Sequence, residues 1–264
     1  MLASALVALL ASTAALAAPK GGLAGRVARR AAGAHQSRPI DRIETFNVAA
    51  SNTSHVSYSS NWSGAVLVAN SATYKSVTAT FTVPTPSKPS GGSSSTTYSA
   101  SAWVGIDGDT CGSAILQTGL DFNVKGTSVS YDAWYEWYPD YAYDFSGISF
   151  SAGDSVTITV TATSTKAGKA VITNNSTGKT VSKSLTSTAA LCETNAEWIV
   201  EDFEEGSSLV PLANFGKVTF TGASAGTSSG SVGPSGAEII DLKQGSTVYT
   251  SVSTTSSSVT VTYV

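Results

Sequence analysis

The sequence contains 264 residues, of which only 12% are charged, whereas ordinary soluble domains carry about 25%. Serine, threonine, valine and aromatic residues dominate, and helical periodicity is absent after the N-terminus. This composition predicts one large all-β domain. From residue 54 onward the chain carries nine lysines, no arginine and sixteen acidic residues, a net charge of −7. Such an acidic balance argues against nucleic-acid binding.

The first residues have the features of a secretion signal. Residues 2–16 form an apolar run that ends in Ala15-Leu16-Ala17, a small-x-small cleavage pattern. The run is shorter than the roughly 20 apolar residues that span a bilayer, and no later stretch is long or apolar enough. We predict a signal peptide at residues 1–17, a secreted extracellular protein and no membrane span.

Residues 18–53 differ in charge from the rest of the chain. Their only acidic residues are Asp41 and Glu44, and their basic residues are Lys20, Arg26, Arg29, Arg30, Arg38 and Arg42. A basic leader before an acidic domain predicts a pro-segment that docks on residues 54–264 electrostatically. A disordered basic tail is the alternative interpretation.

The remainder of the chain reads as short strands separated by turns rich in Gly, Ser and Pro. Residues 154–164 alternate valine and isoleucine with threonine, as half-buried strands do. The predicted strands cover residues 58–70, 74–83, 98–107, 114–124, 129–138, 154–164, 169–173, 179–185, 197–203, 215–221, 237–243, 247–252 and 258–263. About a dozen such strands predict two antiparallel sheets packed face to face.

Cysteine and histidine content narrows the possible chemistry. Cys111 and Cys192 are the only cysteines, and in a secreted protein they predict one disulfide. Only His35 and His55 could supply an imidazole. The chain therefore has too few histidines and cysteines to favour a Ser-His-Asp arrangement or a zinc site. Neither a metal nor a cofactor is expected. An enzyme of this composition would work with carboxyl groups, amides and water.

The stretch from Asn195 to Glu205 suggests where a carboxyl group could act. Strand alternation places Glu197 on the same face as Ile199, and burial beside apolar side chains would raise its pKa. Two other stretches combine acids and aromatic rings: Trp103 shares a strand face with Asp107, and Asp132 shares one with Glu136. For any single residue, a solvent-exposed strand face or an aromatic core layer explains the pattern better than a functional role does.

Five motifs together resemble the fungal glutamic peptidases, or eqolisins. They occupy residues 60–65, 103–111, 115–119, 131–139 and 195–203. The resemblance implies a concanavalin-like β-sandwich and a secreted, acid-acting endopeptidase with a catalytic Glu and Gln, which fall on Glu197 and Gln117. It also implies that the substrate cleft contains Trp62, Gly64, Trp103, Asp107, Asp132 and Glu136.

The expected protein is therefore a monomeric zymogen that hydrolyses polypeptides. Its pro-segment acts as an intramolecular inhibitor and is removed in acid by self-cleavage between about residues 47 and 58. Two alternatives remain open: a glycosidase that pairs Glu197 with Asp132 or Glu136, and a lectin-like module without chemistry. Four Asn-x-Ser/Thr sequons begin at Asn52, Asn61, Asn174 and Asn175, and which of them carry sugar is also open.

Overall fold

The computed structural model describes residues 35–43 and 56–264, which contain twenty-one strands, numbered here in chain order, and no helix. The predicted signal peptide and most of the predicted pro-segment lie outside these residues. Ten strands form one sheet, in the spatial order β2 (Arg42–Ile43), β3 (Val56–Ser59), β18 (Glu238–Gln244), β4 (Trp62–Val68), β13 (Asn195–Glu201), β6 (Thr97–Ile106), β7 (Ile115–Lys125), β8 (Ser128–Tyr138) and β9 (Tyr143–Asp144), with β19 (Thr247–Val248) paired to β18.

A second sheet of eight strands packs against the first. Its spatial order is β12 (Lys179–Thr186), β11 (Ala167–Asn174), β10 (Ser155–Ser164), β5 (Tyr74–Thr82), β16 (Lys217–Thr227), β21 (Ser258–Tyr263) and β20 (Thr250–Thr254), with β17 (Gly230–Val232) paired to β16. A small third sheet joins β1 (His35–Gln36), β14 (Glu204–Glu205) and β15 (Ser208–Leu209). The predicted all-β sandwich is confirmed.

The core lies between the two large sheets and follows from strand alternation. On β10, Val156, Ile158 and Val160 are buried in this core, whereas the threonines between them are only half-buried. On β13, Ala196, Trp198 and Val200 point into the same core. The intervening side chains of β13, beginning with Glu197, therefore point to the opposite side of the ten-stranded sheet. We call that side the outer face.

The strand boundaries differ from the prediction where local side chains interrupt the alternation. Residues 58–70 were expected as one strand, but the Ser59 hydroxyl accepts the backbone N–H groups of Asn61 and Trp62 and separates β3 from β4. Strand β16 continues to Thr227, past the predicted end at residue 221, through a register shift between Thr221 and Ser224. The sheets are also not wholly antiparallel, because β3 pairs with β18 in parallel.

No helix in the described part of the chain is long and apolar enough to cross a membrane.

Candidate active site

The two predicted catalytic side chains lie in one row across the middle of the outer face. Strand register places Glu197 opposite Gly105, Gly105 opposite Gln117, and Gln117 opposite Glu136. Neighbouring strands are about 4.8 Å apart, so the backbones of Glu197 and Gln117 are about 10 Å apart. Gly105, the residue between Glu197 and Gln117 in this row, has no side chain.

Glu197 is a fully buried carboxyl group, and neither of its oxygens has a hydrogen-bond partner among the described residues. Burial, and to a lesser extent the charges of Asp107 and Asp109, raise the pKa of Glu197 well above its ordinary value. The direction agrees with the sequence-based expectation. A carboxyl group in these surroundings can hold a proton and exchange it with a reacting group.

Gln117 contacts a segment that precedes the sandwich in sequence. Its Nε2 atom donates to the Ser37 carbonyl oxygen at 2.7 Å. The backbone N–H of Ser37 donates to Glu136 Oε2 at 3.0 Å. Gln117 and Glu136 thus hold both polar backbone groups of Ser37.

Residues 35–43 continue along the outer face on both sides of Ser37. His35 is buried, with its ring 4.1 Å from that of Phe203 and its Nε2 atom 3.8 Å from Asp121 Oδ2. On the other side, the Trp62 indole N–H donates to the Arg38 carbonyl at 3.0 Å. The sandwich therefore binds an extended stretch of the predicted pro-segment directly over Gln117.

Arg42 anchors the far end of this stretch to two carboxylates. Its guanidinium lies 2.5 Å from Asp109 and 2.6 Å from Glu238. Burial raises the pKa of Asp109, and Arg42 offsets part of that rise. Burial also raises the pKa of Glu238, but hydrogen bonds from Arg42 and Ser57 and the positive charge of Arg42 lower it by more. The net effect is a lowered pKa for Glu238.

Trp62 and Trp103 form an apolar wall beside the row. Their rings meet edge to face with centroids 5.0 Å apart, and both are buried. The Trp103 indole N–H donates to Glu201 Oε2 at 2.9 Å. Burial raises the pKa of Glu201 to about 8 despite this hydrogen bond, so below that pH this carboxyl is mainly protonated.

The remaining predicted cleft residues occupy different surroundings. Asp107 lies beyond the end of β6, where its carboxylate accepts backbone N–H groups from Glu193, Thr194 and Asn195. Those contacts order the loop that precedes β13. Asp132 lies opposite Asp121 and accepts a hydrogen bond from Asn123. Roles in substrate binding stay predictions for Trp62, Trp103, Asp107, Asp132 and Glu136.

Gly64 lies where two strands approach closely. A Cβ atom at this position would lie 2.0 Å from the Trp198 carbonyl oxygen, and its φ is +150°. Any side chain would therefore push β4 away from β13. Its role in substrate binding also stays a prediction.

The chain resembles known peptidases over almost its whole length. Residues 60–263 match the model of the peptidase A4 family. Aspergillopepsin-2 of Aspergillus niger is 50% identical, and the alignment covers 96% of each chain. Scytalidopepsin B of Scytalidium lignicola is 43% identical over 99% of this chain and 98% of its own. The chain belongs to the peptidase A4 family, the glutamic peptidases or eqolisins.

A solved structure supports the same assignment. Scytalido-glutamic peptidase with a transition state analog inhibitor is 46% identical, with a TM-score of 0.70 over 78% of this chain and 98% of that chain. The protein is accordingly a peptide-bond hydrolase, rather than a glycosidase or a lectin-like module, and its substrates are polypeptides.

The predicted disulfide between Cys111 and Cys192 is present. It joins the segments that lead into Gln117, six residues after Cys111, and Glu197, five residues after Cys192. Asp107 lies close to both sulfur atoms, but disulfide-bonded sulfurs offer no thiolate to a metal.

Removing this disulfide should lower the stability of the fold without removing the side chain of Glu197, Gln117 or Glu136. The bond closes a loop with a sequence separation of 81, which corresponds to about 4 kcal/mol in the loop-entropy model. We expect the double variant Cys111→Ser/Cys192→Ser to lose stability of that order in denaturant unfolding of the precursor. Unchanged stability would show that the bond constrains neither segment.

Gly105 is a site residue that the sequence did not single out. A Cβ atom there would lie 2.7 Å from Glu197 Oε1 and 2.8 Å from the Trp103 ring. These distances are too short, so a side chain would displace Glu197, Trp103 or both. Its position within the 103–111 motif was the available signal, but its role depends on strand register.

We expect Gly105→Ala to fold and to lose about 10²-fold in peptidase activity, because small displacements of reacting groups have effects of that size. Gly112→Ala is the matched control, since its Cβ would meet only Pro39, at 3.7 Å. Rates are measured on one polypeptide substrate at acid pH after activation. Equal activity of the two variants would refute this account of Gly105.

Proposed function

We propose that the chain is the precursor of a secreted, acid-acting endopeptidase in which Glu197 and Gln117 activate water. The observation that carries this proposal is the hydrogen bond from Gln117 to the Ser37 carbonyl, in the same row as the buried Glu197 carboxyl and separated from it by one intervening strand, β6. A substrate carbonyl bound in the same way would lie beside a proton acceptor and a hydrogen-bond donor.

The chemistry follows from the two side chains. Glu197 as a carboxylate takes a proton from a water molecule held between it and Gln117, and the water oxygen attacks the carbonyl carbon of the substrate. The Gln117 N–H donates to the negative charge that develops on the carbonyl oxygen. Protonated Glu197 then passes its proton to the amine as the C–N bond breaks. A neutral amide suits this role because it donates at any pH.

The docked segment keeps the precursor inactive because it occupies the polar groups that would bind a substrate, since Ser37 is held by both Gln117 and Glu136. Glu197 is fully buried in this state, and burial favours its protonated form, which cannot act as a base. Opening the site to water lowers the pKa of Glu197 and makes the carboxylate available in acid.

Acid opens the precursor because the anchor at Arg42 depends on the ionised carboxylate of Glu238. Glu238 has a lowered pKa, so its pair with Arg42 stabilises docking above the ordinary glutamate value of 4.5, and this contribution is lost as the pH falls through the lowered pKa. Asp109 does not contribute to this acid sensitivity, because burial outweighs its pair with Arg42 and its pKa is raised.

A precursor that carries Arg42→Gln should therefore open and shorten at higher pH than the wild type. Lys217→Gln is the control, because it removes one positive charge from an exposed position on the eight-stranded sheet. Intact mass is followed after stepwise acidification. If both variants shorten at the wild-type pH, Arg42 is not part of an acid-sensitive anchor.

The whole proposal is tested by activity on two polymers. After acid treatment, the secreted full-length product is incubated with casein and, separately, with β-glucan. Hydrolysis of casein alone is expected. Failure to cleave casein would overturn the peptidase part of the proposal. Retention of the chain inside the producing cell would overturn the secretion part.

A further inference from the structure

Two overlapping sequons at the turn between β11 and β12 share the sequence Asn174-Asn175-Ser176-Thr177. Ser176 completes the sequon of Asn174, and Thr177 completes the sequon of Asn175. By pattern alone the two asparagines are equivalent acceptors for an N-linked sugar. Their surroundings in the folded protein are very different.

Asn174 is buried and fully engaged. Its Nδ2 atom donates to the Ser149 carbonyl and to Asp154, both at 3.0 Å. Its Oδ1 atom accepts the backbone N–H groups of Ser176 and Thr177. A sugar on Nδ2 would replace one of these donors and force a polar group into a site with no exposed area. The fold therefore excludes a sugar at Asn174.

Asn61 is excluded for the same reason. It is 5% exposed, its Nδ2 atom donates to the Pro39 carbonyl, and its Oδ1 atom accepts the Asp41 N–H. A sugar there would separate the docked segment from the start of β4.

Asn175 lies exposed at the tip of the hairpin. Its Nδ2 atom donates to the hydroxyls of Ser155 and Thr157, at 3.1 and 2.9 Å, and both contacts are at the surface. Attachment of a sugar replaces one of the two amide hydrogens, so one N–H remains to keep one of these bonds. Nothing in the turn has to move inward to make room.

We propose that Asn175 is the N-glycosylation site of this hairpin and that Asn174 and Asn61 are unmodified. In this modification the Asn175 amide nitrogen bonds to C1 of an oligosaccharide, the bond from C1 to a lipid-linked pyrophosphate breaks, and the nitrogen loses one proton. The inference rests on the proposed secretory route, where such lipid-linked donors are found.

The position of Asn175 also predicts that the sugar leaves catalysis unaffected. Strand β12 ends the order of the eight-stranded sheet, whereas Gln117 and Glu197 lie on the outer face of the ten-stranded sheet. The sandwich core separates the two sites. Activity on a polypeptide substrate should be the same before and after enzymatic removal of the sugar.

The overlapping sequons provide matched variants for the test. Thr177→Val removes only the Asn175 sequon, and Ser176→Ala removes only the Asn174 sequon. The full-length chain is produced in a eukaryotic secretory host, once with its own residues 1–17 and once with the host's secretion signal in their place. Intact mass and glycopeptide mapping are compared before and after treatment with an amidase that removes N-linked sugars.

We expect sugar on Asn175 in the wild type and in Ser176→Ala, and none on this hairpin in Thr177→Val. Sugar on Asn174 or Asn61, or none on Asn175 in secreted molecules, would overturn the proposal. If the sugar is found only with the host signal, the proposal holds and the prediction for residues 1–17 fails.

Discussion

Replacement of Glu197 by glutamine is expected to lower peptide hydrolysis by at least about 10²–10⁴-fold, the usual contribution of a positioned acid–base group. Glutamine has nearly the same shape but cannot accept and return a proton. The buried carboxyl has no hydrogen-bond partner among the described residues, so the substitution breaks no described contact and should leave the fold intact. Rates on a polypeptide substrate at acid pH, with circular dichroism as the folding check, measure the effect.

The comparison must separate loss of chemistry from loss of processing. If the chain is a zymogen as proposed, a variant that cannot cleave itself would stay covered by its own pro-segment and would be inactive for that reason alone. The Glu197→Gln precursor is therefore first shortened by a trace of tagged wild-type enzyme, which is then removed. Asp140→Asn, at an exposed carboxylate, is treated identically as the control. Turnover by shortened Glu197→Gln at the control rate would exclude Glu197 from the chemistry.

Replacement of Gln117 by alanine is the second large effect, with an expected loss of about 10²–10³-fold, as is typical when one donor to a developing oxyanion is removed. Gln117 is the residue that donates to the Ser37 carbonyl at 2.7 Å. Because the donor acts mainly in the transition state, the loss should appear in kcat more than in KM.

A conservative variant distinguishes a donor from a merely structural residue. Gln117→Glu has the same length but donates a hydrogen bond only when its carboxyl is protonated. Its activity should exceed that of Gln117→Ala at the acid end and fall with rising pH more steeply than in the wild type. Parallel pH profiles for Gln117→Glu and the wild type would argue that Gln117 does not act as a donor.

Strand alternation alone predicted the most important local feature of the site. It placed Glu197 on the face opposite Trp198, and the structure has Trp198 in the core and Glu197 on the outer face. The assignment of Gln117 depended on resemblance, because nothing in its own surroundings marks a neutral amide as functional. Register, which the sequence pattern did not give, is what aligns Glu197, Gly105 and Gln117.

Contacts between distant parts of the chain lay beyond sequence reasoning. Charge predicted that a basic leader would dock on an acidic domain, but not that Ser37 would contact Gln117, 80 positions away. Strands of two residues, such as β1 and β14, are too short to show alternation. Their pairing is set by side chains around them, including His35 against Phe203.

The most direct test of the central claim follows purified full-length precursor after a shift from neutral to acid pH, with intact mass and peptidase activity measured on the same samples. The wild type should be inactive at neutral pH, and in acid it should shorten and gain activity together. Pure Glu197→Gln precursor should stay full-length and inactive. Equal shortening of the pure variant, or activity of the full-length chain at neutral pH, would contradict an acid-opened zymogen that depends on Glu197.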